Sequence, residues 1–265
     1  MRKFSIVTVC RNAEKTIERT IRSVIAQTYP NKEFVVIDGA SSDGTRAILE
    51  KYRDKIDVVV SEPDKGIYDA MNKGVSRATG DYVIFINADD YFYDDRALEH
   101  AAGTPEADFL FGAQYDAEDG LLKPAENLDA LDVPHLFFGQ FAHQSIFARR
   151  DLFARFGAFD TSYRICADWD WILRCIVNGA TTSKIEAPIA VFTVGGASGA
   201  AGRNGLLSRE RKALLRKNLG ALPLENALTR IEKIFRKPLQ KIGLGRVLEN
   251  AVRRSLAKKF PSRKS

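Results

Sequence analysis

Three polar side chains follow an apolar run in the segment IFINADDYF. Asn87, Asp89 and Asp90 come directly after the apolar residues 82–86. Carboxylate oxygens are ligands that Mg²⁺ and Mn²⁺ prefer, and such a cation can join a protein carboxylate to a diphosphate and stabilise a departing phosphate. The segment therefore predicts a divalent-cation site for phosphate chemistry, with Asp89 as the candidate ligand. The alternative is a solvated turn held by Asx hydrogen bonds.

Earlier apolar runs also end in polar or charged residues. Arg11 and Asn12 follow the first run, Asp38 follows the second, and Asp64 lies just beyond the third. Parallel strands joined by helical crossovers bring their carboxyl ends to one edge of a sheet, where open α/β sheets bind ligands. We therefore expect these side chains to surround one ligand site. Their combination favours the cation site over the solvated turn.

The elements that must position these residues alternate along the first ninety residues. Apolar runs predict strands at 4–10, 33–37, 57–60 and 82–86, and helical periodicity predicts helices near 17–25, 45–53 and 67–77. This alternation predicts an α/β fold with a mainly parallel sheet covered by helices on both faces. Later predictions are strands at 109–115 and 187–194, a mobile glycine-rich loop at 195–202, and helices at 168–177 and from 206 onward.

Two nucleotide-binding classes are disfavoured by the segment CRNAEKT after the first strand. It contains neither GxGxxG nor GxxxxGK[ST], which argues against a dinucleotide-dependent oxidoreductase and a P-loop protein. A sugar nucleotidyltransferase remains an alternative enzyme class, although it would be expected to carry a glycine-rich basic loop here. A non-catalytic binding or scaffold subunit is the alternative outside enzymes.

Composition places the chain among ordinary globular proteins. The 265 residues are 45% apolar and 28% charged. No apolar run approaches the roughly 18 residues of a membrane-spanning helix, and MRKFSIVTVCRN reads as a buried strand and not as a signal peptide. Cys10, Cys166 and Cys175 show no metal-binding spacing, which is typical of reduced thiols in a cytoplasmic protein. We expect a soluble or peripheral protein.

Two long segments carry a family resemblance. They are FSIVTVCRNAEKTIERTIRSVIAQTYPNKEFVVIDGASSDGT and SEPDKGIYDAMNKGVSRATGDYVIFINADDYF. The chain resembles the inverting nucleotide-sugar glycosyltransferases of family 2, closely over residues 4–92 and more weakly to about 195. Among members it is most similar to bacterial enzymes that build capsule, O-antigen or exopolysaccharide.

The resemblance implies a GT-A, Rossmann-like fold and a metal-dependent enzyme. A hexose or N-acetylhexosamine would move from a nucleoside diphosphate, by family habit UDP, to a carbohydrate or polyprenyl-linked acceptor with Mn²⁺ or Mg²⁺. We predict a catalytic domain at 1–202, with a nucleotide-binding half at 1–92 and an acceptor half at 93–202. A basic helical extension is predicted at 203–265.

The resemblance also implies roles for residues of the donor site. Thr8 and Arg11 would line the nucleotide pocket, Asp38 would bind the base or ribose, and Asp64 would bind the base edge. The family's Asp-x-Asp motif falls on Asn87-Ala88-Asp89, so the chain departs from it at the first position. Asn87 would accept a hydrogen bond from a ribose hydroxyl, and Asp89 would be the one direct metal ligand.

An inverting transfer needs a base that takes the proton of the acceptor hydroxyl. In the segment RICADWDWILR, Asp168 matches the family's base. The alternative is a helix N-cap worth about 1 kcal/mol, although one residue can do both, and Asp170 is predicted as a first-turn charge. The pair His143-Gln144 matches a family pair beside the acceptor. Trp169 and Trp171 are candidates for sugar stacking, one of the two being core.

Charge is distributed unevenly along the chain. Residues 203–265 carry 18 Lys and Arg against four Glu, a net charge of +14, so residues 1–202 carry −8. Apolar residues recur at helical spacing among these cations, namely Leu224, Leu228, Ile231 and Phe235, and then Val247, Leu248, Ala251, Val252 and Leu256.

This pattern is typical of helices on an anionic membrane surface. We therefore expect a peripheral location at the inner face of the cell membrane. Alternatively, the apolar stripes pack on the catalytic domain or on a second copy in a homodimer. No nucleic-acid partner is predicted, because the basic charge comes without a DNA- or RNA-binding module.

Overall fold

The computed structural model describes residues 1–125, 129–138, 143–195, 205–220 and 244–261, with the backbone alone for 244–249 and 251. The first part contains β1 (Phe4–Cys10), α1 (Ile17–Ile25), β2 (Lys32–Asp38), α2 (Thr45–Lys51), β3 (Val58–Ser61), α3 (Ile67–Arg77), β4 (Tyr82–Phe85), β5 (Tyr91–Phe92) and α4 (Ala97–Gly103). The second part contains β6 (Phe109–Glu118), β7 (Leu121–Pro124), α5 (Val133–Phe138), β8 (Ile146–Arg149), α6 (Asp151–Phe156), α7 (Ala167–Val177), β9 (Thr182–Thr193), α8 (Leu206–Leu219) and α9 (Leu244–Lys259). Short 3₁₀ turns occupy Arg53–Lys55 and His143–Ser145.

One sheet joins all the strands of the described ranges. Its order is β3-β2-β1-β4-β8-β6-β9-β5, and β7 pairs with β6. The pairs β1–β2, β2–β3, β1–β4 and β6–β9 are parallel, whereas β8 runs antiparallel to both of its neighbours. The predicted α/β fold with a mainly parallel sheet is confirmed.

Alternation along each central strand produces two apolar layers, one on each face of the sheet. On β1, Phe4 and Ile6 join a core with α1, α2 and α4, whereas Val7 and Val9 join the opposite core. That second core contains side chains from α3 and from α5 to α9. Both faces are therefore covered by helices, as the apolar runs predict.

The C-terminal extension contributes to the second core. Val252 and Leu256 of α9 are buried there, together with Leu214 of α8. For α9 this favours the alternative in which the apolar stripe packs on the catalytic domain. The predicted stripe at 224–235 lies outside the described residues, and so does the predicted loop at 195–202 apart from Gly195. No helix within the described ranges is long and apolar enough to cross a membrane.

Candidate active site

A cavity of about 660 Å³ opens at the carboxyl ends of β1 and β4. The start of α7 and side chains of α3, β6 and α8 complete its wall. Seven of the residues predicted for the site line this cavity: Arg11, Asn87, Asp89, His143, Gln144, Asp168 and Trp169. The topology therefore brings residues that are far apart in sequence around one space large enough for a small-molecule ligand.

Three other predicted residues lie outside the lining. Thr8 is fully buried and donates to the Ile86 carbonyl at 2.6 Å. Asp38 is also fully buried, and its carboxylate accepts hydrogen bonds from the Ser61 hydroxyl at 2.6 Å and from the Ser41 backbone N–H at 3.2 Å. Both side chains are therefore used inside the fold, where Thr8 joins β1 to the residue after β4 and Asp38 joins the ends of β2 and β3.

Asp64 stands close to the loop that follows β2. Its Oδ1 accepts from the Gly66 N–H at 2.8 Å. Its other carboxylate oxygen lies so near Gly39 that a Cβ added there would be 2.1 Å away. The glycine at position 39 leaves room for the Asp64 carboxylate, which is held by the Gly66 N–H group.

The Asp168 carboxylate accepts three hydrogen bonds. Oδ1 accepts from the Tyr68 hydroxyl at 2.8 Å and from the Trp169 backbone N–H at 2.9 Å. Oδ2 lies 2.9 Å from Nδ1 of His143. The side chain is 14% exposed and faces the cavity. Asp168 is therefore held in one orientation by groups from α3, α7 and the 3₁₀ turn before β8.

The start of α7 differs from the sequence expectation. Cys166 occupies the N-cap position, and Asp168 is the second residue of the helix. The N-cap interpretation of Asp168 is therefore wrong. The N–H groups before the helix are instead bound by Glu210 of α8, which accepts from Arg164 at 2.8 Å, Ile165 at 3.0 Å and Cys166 at 3.1 Å.

Asp170 lies in the first turn of α7, but it is not a solvated charge. It is fully buried and accepts from Asn218 Nδ2 at 2.8 Å and from Lys217 Nζ at 3.3 Å. Asp170 and Glu210 are thus two buried carboxylates that join α7 to α8. The helix that carries Asp168 is positioned by the first helix of the basic extension.

His143 and Gln144 connect the two halves of the site. Nε2 of His143 lies 3.1 Å from the Asn87 amide nitrogen. Gln144 donates from Nε2 to Asp90 Oδ2 at 2.9 Å, and Thr193 N–H donates to Asp90 Oδ1 at 3.2 Å. Burial, with the charge of Asp89, raises the pKa of Asp90 to about 7.

The charges around His143 favour its protonated form. Burial acts to lower the pKa of His143, but the hydrogen bond and charge of Asp168 outweigh it, so the pKa lies above its ordinary value. Asp90 and Asp89 act in the same direction.

Asp89 presents its carboxylate to the cavity while its backbone is held. Its carbonyl accepts from Arg19 Nη2 at 2.9 Å and from the Thr193 hydroxyl at 2.5 Å. Within the described ranges the carboxylate itself makes no hydrogen bond or ion pair. Two residues earlier, Oδ1 of Asn87 is buried and has no hydrogen-bond partner among the described residues. The Asp89 carboxylate and the Asn87 amide oxygen are therefore available to a ligand.

No cluster of three His, Cys, Asp or Glu side chains that could hold a metal by itself occurs in the part of the chain that is described. A cation here would rely on Asp89 together with oxygens of a bound ligand.

The two tryptophans have different surroundings. Trp171 is core, stacked on Phe153 with ring centroids 4.0 Å apart. Trp169 is mostly buried but lines the cavity, with its indole N–H donating to the Leu136 carbonyl at 3.1 Å. The Arg211 guanidinium lies 4.6 Å from its ring centroid. Trp169 is therefore fixed as a wall of the cavity.

Among the cavity residues that sequence reasoning missed are Tyr68, Arg164 and Arg211. Arg164 stands four residues before Asp168, which is a spacing that could have drawn attention to it. Tyr68 and Arg211 had no local signal, because their place depends on how α3 and α8 pack beside α7.

Comparison with known proteins agrees with this architecture. The family described as Glycosyl transferase family 2 matches residues 5–150. A PGL/p-HBAD biosynthesis glycosyltransferase of Mycobacterium bovis is 32% identical over 191 residues, which are 68% of this chain and 72% of the relative. TuaG of Bacillus subtilis, named for teichuronic acid biosynthesis, is 40% identical over 122 residues, 44% of this chain and 48% of the relative.

Solved structures share the fold at lower identity. S. aureus TarS 1-349 in complex with UDP has a TM-score of 0.66 at 22% identity, covering 89% of this chain and 74% of that one. The mannosyltransferase PcManGT from Pyrobaculum calidifontis, in complex with GDP-Man and Mn²⁺, has a TM-score of 0.57 at 20% identity, covering 76% of this chain and 60% of that one. The family match spans more than half of the chain, and the chain belongs to glycosyl transferase family 2.

Proposed function

We propose that this glycosyltransferase is an inverting, metal-dependent enzyme that moves one hexose or N-acetylhexosamine from a UDP-sugar to a carbohydrate or polyprenyl-linked acceptor. Asp168 is the base, Asp89 is the metal ligand, and Arg11, Asp64 and Asn87 bind the donor. The buried Asp38 supports the donor site from the end of β2. Thr8 supports the donor site from behind β1.

The hydrogen-bonded state of Asp168 is the observation that carries this proposal. A carboxylate offers about four acceptor positions, and three are taken by Tyr68, Trp169 and His143. The fourth position remains open to the hydroxyl group of a sugar-acceptor substrate in the cavity. A fixed carboxylate with one acceptor position open is what removal of a proton from an attacking hydroxyl requires.

The residues present also fit a divalent cation. Mg²⁺ typically takes one or two protein carboxylates and completes its shell with substrate phosphates and water. Asp89 supplies such a carboxylate from a backbone held by Arg19 and Thr193. A bound cation would stabilise charge on the leaving diphosphate. The Mn²⁺ in the PcManGT complex supports the same assignment.

The donor and acceptor classes rest on the relatives. TarS binds UDP in a similar fold, which supports a UDP-sugar, and the names of the Mycobacterium and Bacillus relatives support synthesis of a cell-surface glycan. The basic extension supports an acceptor at an anionic membrane, and we infer a peripheral location at its cytoplasmic face.

Calorimetry with UDP, with and without Mn²⁺, tests the donor site of the full chain. We expect binding that is strengthened by Mn²⁺ and weakened at least tenfold by Asp89→Asn. The exposed Asp95 lies outside the cavity lining, so Asp95→Asn is the matched control.

A donor-hydrolysis assay then separates the enzyme from its alternatives. Slow release of UDP from a UDP-sugar supports a transferase. Pyrophosphate release from UTP and a sugar 1-phosphate would indicate a nucleotidyltransferase, and UDP binding without dependence on metal or any turnover would indicate a scaffold subunit.

A further inference from the structure

The ring of His143 is engaged at both nitrogens. Nδ1 lies 2.9 Å from Asp168 Oδ2, and Nε2 lies 3.1 Å from the amide nitrogen of Asn87. The ring thus links the residue at the first position of the metal-binding motif to the proposed base. To bind the acceptor substrate directly, His143 would need a ring nitrogen that is not already in a hydrogen bond.

The chemistry of the two partners sets the direction of both hydrogen bonds. An amide nitrogen only donates, so Nε2 of His143 must accept from Asn87 and carry no proton. The proton of the neutral ring is then on Nδ1, where it is donated to Asp168, a carboxylate that only accepts. Asn87 thus donates to His143, and His143 donates to Asp168.

A carboxylate at position 87 would reverse the first bond. Asp cannot donate from an ionised carboxylate, so Nε2 would have to carry a proton to keep the contact. His143 would then lie between two carboxylates with both nitrogens protonated. The imidazolium charge beside Asp168 would favour its ionised form and so weaken it as a proton acceptor.

We propose that Asn87 is a positioning residue that keeps His143 neutral with its proton on Nδ1, and that it thereby orients Asp168 without placing a positive charge beside it. The proposal rests on the proposed function in that Asp168 is taken as the base. It also gives a physical reason for an amide where the family usually has a carboxylate.

Three carboxylates lie around the ring of His143. Asp168 faces His143 from α7, Asp89 and Asp90 face it from the segment after β4, and Tyr68 lies behind Asp168 on α3. All three carboxylates favour the imidazolium form of the ring. The amide of Asn87 adds no fourth negative charge, and the N–H group that it presents to Nε2 favours an unprotonated Nε2.

The imidazole ¹⁵N resonances of the uniformly labelled full chain test this. The protein has three histidines, and the His143 signals are assigned by their loss in His143→Gln. At pH 8.5 we expect Nδ1 of His143 to be protonated and Nε2 to be unprotonated. In Asn87→Asp at the same pH we expect both nitrogens to be protonated. In Asn87→Ala we expect Nδ1 to stay protonated, because Asp168 still accepts from it, and Nε2 to become partly protonated.

A matched control separates the hydrogen bond from general charge. Gln114→Glu also places a carboxylate in the lining of the cavity, but Gln114 lies on β6, where its side-chain amide donates to Asp116 Oδ1 at 2.9 Å. We therefore expect His143 in this variant to keep the wild-type pattern, with Nδ1 protonated and Nε2 unprotonated. A wild-type ring with its proton on Nε2, or an Asn87→Asp ring identical to wild type, would overturn the proposal. The spectra need neither donor nor turnover, so their failure is distinct from failure of the proposed function.

Discussion

The hydroxyl of Tyr68 lies 2.8 Å from Oδ1 of Asp168, although the two residues are 100 positions apart. Tyr68 belongs to α3, in the half predicted to bind the nucleotide, and Asp168 lies in the first turn of α7, in the half predicted to bind the acceptor. Both side chains line the cavity. Packing of one half against the other therefore sets the direction of the proposed base.

Tyr68→Phe removes this hydroxyl and keeps the ring. A hydrogen bond to a charged group is worth about 1.5–3 kcal/mol, so we expect kcat to fall roughly tenfold while the Kd for UDP changes little. Tyr29→Phe is the matched control, since it also loses a single hydrogen bond, from its hydroxyl to the Arg2 carbonyl, away from the cavity. Equal effects of the two variants on kcat would contradict a role in orienting Asp168.

Asp168→Asn removes the proposed base with little change in shape. General base catalysis contributes about 10²–10⁴-fold, so we expect sugar transfer to fall by at least 10²-fold with UDP binding retained. Transfer is measured with a UDP-sugar and calorimetry measures binding, with Asp95→Asn as control. Full transfer activity in Asp168→Asn would remove the base assignment.

Glu210→Gln tests the link between α8 and α7. Glu210 accepts three backbone N–H bonds before α7, and an amide would turn an N–H group toward at least one of them. A buried donor left unpaired costs about 1–3 kcal/mol, so we expect the free energy of unfolding in urea to drop by about that amount. The exposed Glu186 lies on β9 and supplies the control Glu186→Gln, which should leave the free energy of unfolding unchanged.

The membrane prediction needs variants that spare α8 and the buried face of α9. Truncation at residue 203 would remove Glu210 as well as the basic residues, so loss of binding would be ambiguous. Arg254 and Lys258 of α9 are exposed, whereas Val252 and Leu256 of the same helix are buried.

Reversal of these two charges should weaken binding to anionic vesicles. Each Lys or Arg near such a surface contributes about 1 kcal/mol, so Arg254→Glu with Lys258→Glu should lower the affinity for phosphatidylserine vesicles at least tenfold. Cosedimentation measures it, with phosphatidylcholine vesicles as control. Unchanged affinity would mean that α9 serves packing alone.

Glu33 should make stability depend on acidity. Its carboxylate is buried, and burial acts to raise its pKa, but the hydrogen bonds from Lys3, Ser5 and Thr79 outweigh this and lower the pKa to about 2. A depressed folded pKa stabilises the protein above the unfolded pKa of about 4.3, and this contribution is lost as the pH falls toward 2.

Glu33→Gln should therefore be less stable than wild type at pH 7 by about 3 kcal/mol, and the difference should shrink at pH 3. Urea unfolding at pH 7 and at pH 3 measures this difference in the free energy of unfolding. The exposed Glu50 supplies the control Glu50→Gln. A difference that does not depend on pH would indicate lost packing in place of lost charge.

Local patterns predicted much of the fold. β1 and α3 have the predicted bounds, because a buried strand and an amphipathic helix both show their pattern within one short stretch of sequence. β8 was not among the predicted strands, since its four residues are too few to show a period. Its place between β4 and β6 follows from pairings between residues at least 35 positions apart in sequence.

The residues of the candidate site could also be predicted only in part. Asp89 and Asn87 could be placed at the cavity because parallel strands bring their carboxyl ends to one edge. The N-cap interpretation of Asp168 failed because Glu210, 44 residues beyond Cys166, binds the N–H groups there. Tyr68 could not be found either, because its contact exists only once two helices are packed.

The insertion of β8 between β4 and β6 has a consequence for how the protein unfolds. A strand of the second half lies in the middle of the sheet, and Asn72 of α3 binds both backbone groups of Phe159, at 3.0 Å each. Neither half can complete its core alone. We expect a single cooperative transition in calorimetry, and two fragments divided near residue 93 should regain structure only when they are mixed.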